Sequence, residues 1–391
     1  MTTENKNRVC LPAALLAAVM MFPTPIAAAQ EMGTVVIDGL NSPMGVLVTP
    51  DGSVWVVDTG VGGDVELELA GFSEAEAAPD AEADADAGGL DSWLFGETAR
   101  VVQLAADGAV TEVATLPSLA FPKDPTFNMG GARLAMIDGQ LYVTSGGWWS
   151  VGDTERPVGV SAVLRIEDGH GLEVANTWDV EREQNPDGWE RATNPYGLAA
   201  GPDGSLWVAD AAANDLLKID PQTGEVEVAA VFEGMPGPIP NAERDGALEI
   251  APVPTGVAFD QAGALYVTLL PGVPFLPGSS KVVQVSAEGA VTDYATGLTM
   301  LTDLRAGPDG NLYGVSLGEF TEKGPTPNSG AVVRIMEGGA GEVVLSGISF
   351  PTSIDFSANG DAYVTVNGVG APGTGQVVLY KGLVAGATSG Q

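Results

Sequence analysis

The side chains able to do chemistry in this sequence are mostly oxygen donors. Histidine occurs once, at His170, and cysteine once, at Cys10. A nucleophilic triad needs an imidazole beside the nucleophile, and the one imidazole falls in the short turn Asp168-Gly169-His170-Gly171. Triad chemistry and imidazole-dependent lyase chemistry are therefore disfavoured. Cys10 lies ahead of the mature chain, which excludes thiol nucleophiles and disulfides. What remains are carboxylates and carboxamides at the ends of apolar runs: Asn41, Asp58, Asp124, Asn128, Asn194, Asp210, Asp303 and Asn367. Hard donors of this kind suit a divalent cation such as calcium, and Asn41, Asp58, Asn194 and Asp303 are the metal candidates. They form no recognised quartet, and Asp or Asn at a strand end also serves turns and caps. The second set is aromatic. Trp148 and Trp149 follow Gly146-Gly147, and Phe275 stands between Pro274 and Leu276. Such rings can stack on a planar ligand or a sugar, or pack against neighbouring elements. Tyr196 and Asp210 complete the candidate ligand-binding set.

A repeat positions these residues. Six segments begin Pro43-Met44-Gly45, Gly131-Ala132-Arg133, Pro195-Tyr196-Gly197, Pro254-Thr255-Gly256, Leu301-Thr302-Asp303 and Pro351-Thr352-Ser353. Each runs as a short strand into a turn ending at Gly52, Gly139, Gly204, Gly263, Gly310 or Gly360, and then into an alternating strand such as Leu206-Trp207-Val208. Two further strands follow in each copy, β-branched or aromatic and bounded by Gly, Asp or Pro. Four antiparallel strands per unit make a propeller blade. The sixth copy stops after Gln376-Val377-Val378-Leu379-Tyr380 without a fourth strand, and the missing strand stands at the other end of the chain as Gly33 to Leu40. The expectation is an all-β, six-bladed propeller whose N-terminal strand completes the last blade and removes two exposed edges.

The sequence resembles the ScyD/ScyE family of secreted propeller proteins. The resemblance rests on Gly39-Leu40-Asn41-Ser42-Pro43-Met44-Gly45 with Pro50-Asp51-Gly52, on Asn194-Pro195-Tyr196-Gly197-Leu198, and on the run from Ala209 to Asp220. Val253-Pro254-Thr255-Gly256 and the run from Gly272 to Gly278 complete it. The short repeats are shared with NHL-type propellers. The resemblance implies the fold and export, and brings no catalytic residues. Enzymatic propellers related to gluconolactonases hold a divalent cation in the central channel with Glu, Asp and Asn. Here the entry to the first inner strand is Asn41-Ser42-Pro43, with no Glu.

Strand order assigns the connections to two faces. The turns between first and second strands and between third and fourth strands are tight and share one face, His170 among them. The remaining connections are long and share the other, which is the expected binding face. One of them, residues 64–91, is acidic and Ala-rich, and is expected to be a disordered insertion. The formal net charge is −35, which repels nucleic acid and anionic lipid. Lys6 and Arg8, the apolar run Leu11 to Phe22 and Ala27-Ala28-Ala29 read as a signal peptide over residues 1–29. The rest, 30–391, is expected to be one secreted or periplasmic domain, monomeric and without membrane insertion. The functional expectation is a non-catalytic propeller that binds a small molecule, a glycan or a protein at the loop-rich face. The alternative is a metal-assisted hydrolase or lactonase in which a channel cation activates water.

Overall fold

The computed structural model describes residues 33–70, 90–124, 126–149, 154–189, 191–241, 246–321 and 323–386. Residues 1–29, where a signal peptide is expected, and residues 71–89 of the acidic insertion lie outside the described residues.

Strand formation follows the alternating pattern, and the turns follow the Asp-Gly chemistry. At the turn before Ser53, the Asp51 carboxylate accepts the Ser53 N–H at 3.0 Å and the Thr49 hydroxyl at 2.6 Å, while Gly52 takes a φ of 86°. That backbone is strained for any residue with a Cβ. Asp203, Asp260 and Asp309 accept the N–H two residues on in the equivalent turns.

Three antiparallel four-stranded sheets run in simple meander order. One is made of Pro195–Ala200, Leu206–Asp210, Asp215–Ile219 and Val226–Val231, and two more follow it along the chain. A ten-stranded sheet divides into two such units, whose hydrogen-bonded ladders join at a single parallel bridge between His170 and Thr115. In the last sheet the N-terminal strand Thr34–Leu40 pairs antiparallel with Gly375–Tyr380, with Thr34 opposite Leu379 and Leu40 opposite Gly375. The first strands of successive sheets lie against one another in cyclic order: Pro43–Val48, Gly131–Ile137, Pro195–Ala200, Pro254–Phe259, Leu301–Ala306, Ile354–Phe356, and back to Pro43–Val48. A closed ring of four-stranded sheets around an axis is a β-propeller.

The core is correspondingly divided among the spaces between neighbouring sheets. Ile37, Leu40 and Val377 of the last sheet pack on Val46, Val54, Val56 and Val102 of the first, which seals the ring. Threonine hydroxyls tie neighbours near the axis: Thr352 donates to the Pro43 carbonyl at 2.6 Å, Thr255 to Leu301 at 2.8 Å and Thr144 to Tyr196 at 3.0 Å. The inner strands approach closely enough to require glycine. A Cβ on Gly256 would sit 2.4 Å from the Leu304 nitrogen, and one on Gly197 would sit 2.6 Å from the Thr255 oxygen.

The start of the acidic insertion, expected to be disordered with the rest of 64–91, is instead ordered. Val65–Ala70 is a strand, paired antiparallel with the start of Leu90–Leu104 from Val65 opposite Phe95 onwards. Leu69 is buried there beside Trp93. Leu67 and Leu69 alternate with Glu66 and Glu68, which is a half-buried strand pattern inside an acidic composition. Among the described residues no helix is long and apolar enough to cross a membrane.

Candidate functional site

Residues two apart on a strand face the same way, so the third and fifth positions of the inner strands line the axis in two layers. The third-position layer is Gly45, Arg133, Gly197, Gly256, Asp303 and Ser353. The fifth-position layer is Leu47, Ala135, Ala199, Ala258, Arg305 and Asp355.

Arg133 fills the first layer. Its side chain is wholly buried, and its Nε lies 3.2 Å from Asp303 Oδ1. One terminal nitrogen donates to the Met44 carbonyl, and the other to the carbonyls of Thr302 and Thr352. The guanidinium lies 4.4 Å from the centre of the Tyr196 ring. These partners come from four of the four-stranded units besides its own, so one side chain bridges the channel. Burial works against the charge, but Asp303 and Tyr196 outweigh it and hold the pKa above the ordinary arginine value. Asp303 is occupied on its other side by Ser353 Oγ, at 2.6 Å from Oδ2.

Beyond this plug the second layer opens into a cavity of about 490 Å³. Its walls include Leu134, Ala135, Met136, Ala199, Val257 and Phe259, and its charged lining includes Arg305 and Asp355. Thr49-Pro50 and Asp138-Gly139 at the rim place the opening on the tight-turn face, opposite to the loop-rich face expected to bind. Arg305 Nε stands 3.7 Å from Asp303 Oδ2. Neither Arg305 Nε nor Arg305 Nη2 has a hydrogen-bond acceptor, although both are buried. Asp355 is used by the fold: its two oxygens accept the Val48 N–H at 2.7 Å and the Phe356 N–H at 2.9 Å. Burial raises its pKa, and Arg305 pulls it back down.

The sequence-derived candidates are distributed differently. Trp148 and Trp149 are buried, at 1% and 6% exposure, in a cluster with Leu69, Trp93, Leu119, Val160 and Trp178. They form a short strand against Ala192–Thr193, so their surface is spent on packing and offers no open stacking platform. Phe275 is elsewhere, tilted against Phe320 with ring centres 4.7 Å apart. Tyr196 belongs to the axial plug. Asn41 and Asp58 meet as a strand-end cap, the Asn41 N–H donating to Asp58 Oδ2 at 3.0 Å, and Arg100 closes on the same carboxylate at 2.6 Å. Asn194 and Asp210 repeat that cap two sheets on, the N–H donating to Oδ1 at 2.5 Å. Asp303 pairs with Arg133. The four metal candidates are thus split among two caps and the axis. Asp124 binds the Thr126 N–H at 2.9 Å in an exposed turn, and Asn367 Nδ2 donates to the Thr374 carbonyl at 3.0 Å. His170 is exposed. Among the described residues, no group of three or more His, Cys, Asp or Glu gathers as a metal-ligand set.

Sequence reasoning missed Arg133, Arg305 and Asp355. The signal was available in the repeat itself: the third position reads Gly, Arg, Gly, Gly, Asp, Ser, and two opposite charges among glycines at an axial position are an ion pair across the ring.

No protein-family model and no curated protein matches the chain. Solved structures similar to it include a PQQ-bound aldose sugar dehydrogenase from Streptomyces coelicolor, at 13% identity over 89% of this chain and 96% of that one, with a TM-score of 0.48. A gluconolactonase from Xanthomonas campestris matches at 14% identity over 90% and 99%, with a TM-score of 0.44. A virginiamycin B lyase from Staphylococcus aureus matches at 14% over 88% and 97%, again with 0.44. At these values the likeness assigns no activity.

Proposed function

We propose that this chain is an exported, six-bladed propeller of the ScyD/ScyE kind that binds a small organic molecule in the axial cavity. The observation that carries this reading is Arg305, a basic side chain in the cavity lining whose Nε and Nη2 have no hydrogen-bond acceptor. A concave site of this size, lined by apolar side chains together with polar groups able to orient a ligand, is what small-molecule pockets are made of. Unmet buried donors are costly, and a ligand oxygen would relieve them. The ligand is therefore one that carries a carbonyl, ester or carboxylate oxygen beside apolar surface. Thermal-shift screening of small acids, esters and lactones against the purified protein tests this. A hit should raise the melting temperature of the wild type and lose that effect in Arg305→Gln. A hit that stabilises both proteins equally would place the site elsewhere.

The second reading is metal-assisted hydrolysis of a lactone, which is nearer to the names of the propellers compared above than a non-catalytic binder is. A lactone carbonyl meets the same requirement at Arg305. Lactone hydrolysis assayed with added calcium or magnesium, and again after EDTA, separates the two readings: turnover that EDTA abolishes supports hydrolysis, and binding without turnover supports the first.

A further inference from the structure

The geometry points to a neutral carboxamide or lactam as the class of ligand that the axial cavity selects, with Arg305 donating to its carbonyl oxygen and Asp355 accepting its N–H. This rests on the binding reading proposed above and goes one step past it, to the chemistry of the ligand.

Two neighbouring inner strands bring the pair together. In the first axial layer Ser353 Oγ donates to Asp303 Oδ2 at 2.6 Å. That bond fixes the register between Leu301–Ala306 and the segment leading into Ile354–Phe356. Arg305 lies two residues beyond Asp303, and Asp355 two residues beyond Ser353. Alternation turns both toward the axis, so they are neighbours in the second layer, and both line the cavity. The ion pair that Arg305 makes is nevertheless with Asp303, Nε to Oδ2 at 3.7 Å, and its Nε and Nη2 have no acceptor. Asp355 takes its hydrogen bonds from the backbone, the Val48 N–H on Oδ2 at 2.7 Å and the Phe356 N–H on Oδ1 at 2.9 Å. An ionised carboxylate offers about four lone-pair directions, so each oxygen of Asp355 can accept one donor more.

A donor without an acceptor beside an acceptor with spare capacity defines what fits. A carboxylate would satisfy Arg305 and be repelled by Asp355, and an ammonium group would do the reverse. An ester satisfies Arg305 and offers Asp355 nothing. A carboxamide carries an acceptor and a donor on one planar, uncharged group, and answers both residues without adding charge to the cavity. A site that hydrogen-bonds an N–H discriminates against the analogue that lacks it, because its own polar group is then left unpaired. Leu134, Met136, Val257 and Phe259 supply the apolar wall for the rest of the molecule.

The test is calorimetric titration of the purified protein with the primary amides and the methyl esters of benzoic, cyclohexanecarboxylic and 2-naphthoic acids. The apolar part varies across the set while the polar change within each pair is constant. Wild type, Arg305→Gln and Asp355→Asn are compared, and melting curves report whether each variant is folded. At least one amide should bind the wild type at one site per chain, roughly ten-fold or more tighter than its own ester, as a hydrogen bond to a charged acceptor provides. Arg305→Gln should weaken both members of that pair, and Asp355→Asn should bring the amide down toward its ester. Should Asp355→Asn fail to fold for want of its contact with Val48, the amide-to-ester ratio in the wild type still decides. An amide that binds no tighter than its ester, with both weakened by Arg305→Gln, would overturn the carboxamide assignment and leave the cavity reading standing. No binding by any of the six compounds, or binding that Arg305→Gln leaves unchanged, would overturn both.

Discussion

Replacing Arg133 with alanine tests the axial plug directly. The change removes the positive half of a fully buried ion pair and leaves Asp303 with Ser353 Oγ, the Leu304 N–H and the more distant Arg305 guanidinium, 3.7 Å away. Breaking a buried pair from one side costs about 3–5 kcal/mol. The lost contact with Tyr196 adds roughly 0.5–2 kcal/mol, and water entering the vacated space offsets part of the loss at the Thr302 and Thr352 carbonyls. The expected destabilisation is on the order of 4 kcal/mol, a large fraction of the net stability of a folded domain. Urea unfolding reads it as a shift in midpoint at constant slope. The double variant Arg133→Met, Asp303→Asn removes both charges and retains volume, so it should cost clearly less than the sum of its two single changes. Strict additivity, or an Arg133→Ala cost below about 1 kcal/mol, would refute the claim that this pair bridges the ring.

Three further outcomes follow from the same structure. Deleting residues 33–40 removes buried Ile37 and Leu40 and the strand paired with Gly375–Tyr380. At 2–5 kcal/mol for each large aliphatic side chain lost, the ring should lose roughly 5 kcal/mol or more, and an unchanged urea midpoint would contradict the closure. Glu181 is pushed up to about 8 from 4.5, by burial first and then by Asp210 and Asp187. The unfolded chain releases this proton near the lower value and the fold near the higher one, so stability through Glu181 is full at low pH and falls as pH rises between them. Asp215 acts in the same direction, and exposed Arg191 opposes only part of the effect. In EDTA, Glu181→Gln should be relatively more stable than the wild type at about pH 9 than at about pH 5, and an equal difference at both would contradict the raised pKa. Finally, alanine at Trp148 or Trp149 should cost roughly 3–5 kcal/mol each because both rings are buried, whereas exposed rings would cost little.

The strands were legible because their signals are local: period-two alternation, Asp-Gly turns and repeated Pro-x-Gly starts. Ring closure was also legible, since Gly33 to Leu40 copies the fourth strand of the preceding unit, and a strand without a partner has one place to go. The site was harder to read because burial of a particular ring is set by tertiary contacts. Trp148-Trp149 in a glycine-flanked loop has the same local sequence whether it projects into solvent or packs on Trp93, with ring centres 5.2 Å apart for Trp149. Leu69 gave the same difficulty, hidden in an acidic stretch until Trp93 was placed beside it. Glu181 lies in a six-residue helix within a segment that carries no repeat, so nothing local marks it as buried.

The two axial layers also bear on which ligand can enter. Arg133 and Asp303 cancel, and Arg305 faces Asp355, so the axis is close to neutral inside a protein of net charge −35. An anionic ligand would approach the tight-turn face against the field of the whole molecule and then find one guanidinium already shared with two carboxylates. A neutral carbonyl compound would meet the same donors without that opposition. Added salt screens the long-range repulsion, with a Debye length near 10 Å at 0.1 M, but acts much less on a contact inside the cavity. Affinity for a carboxylate ligand should therefore rise between about 0.01 M and about 0.5 M salt, while affinity for the corresponding ester or lactone should stay nearly constant. Calorimetric titration of such a pair at the two salt levels measures the difference. Carboxylate binding that weakens with salt would mean that the ligand meets a locally positive surface, which the axial cavity is not.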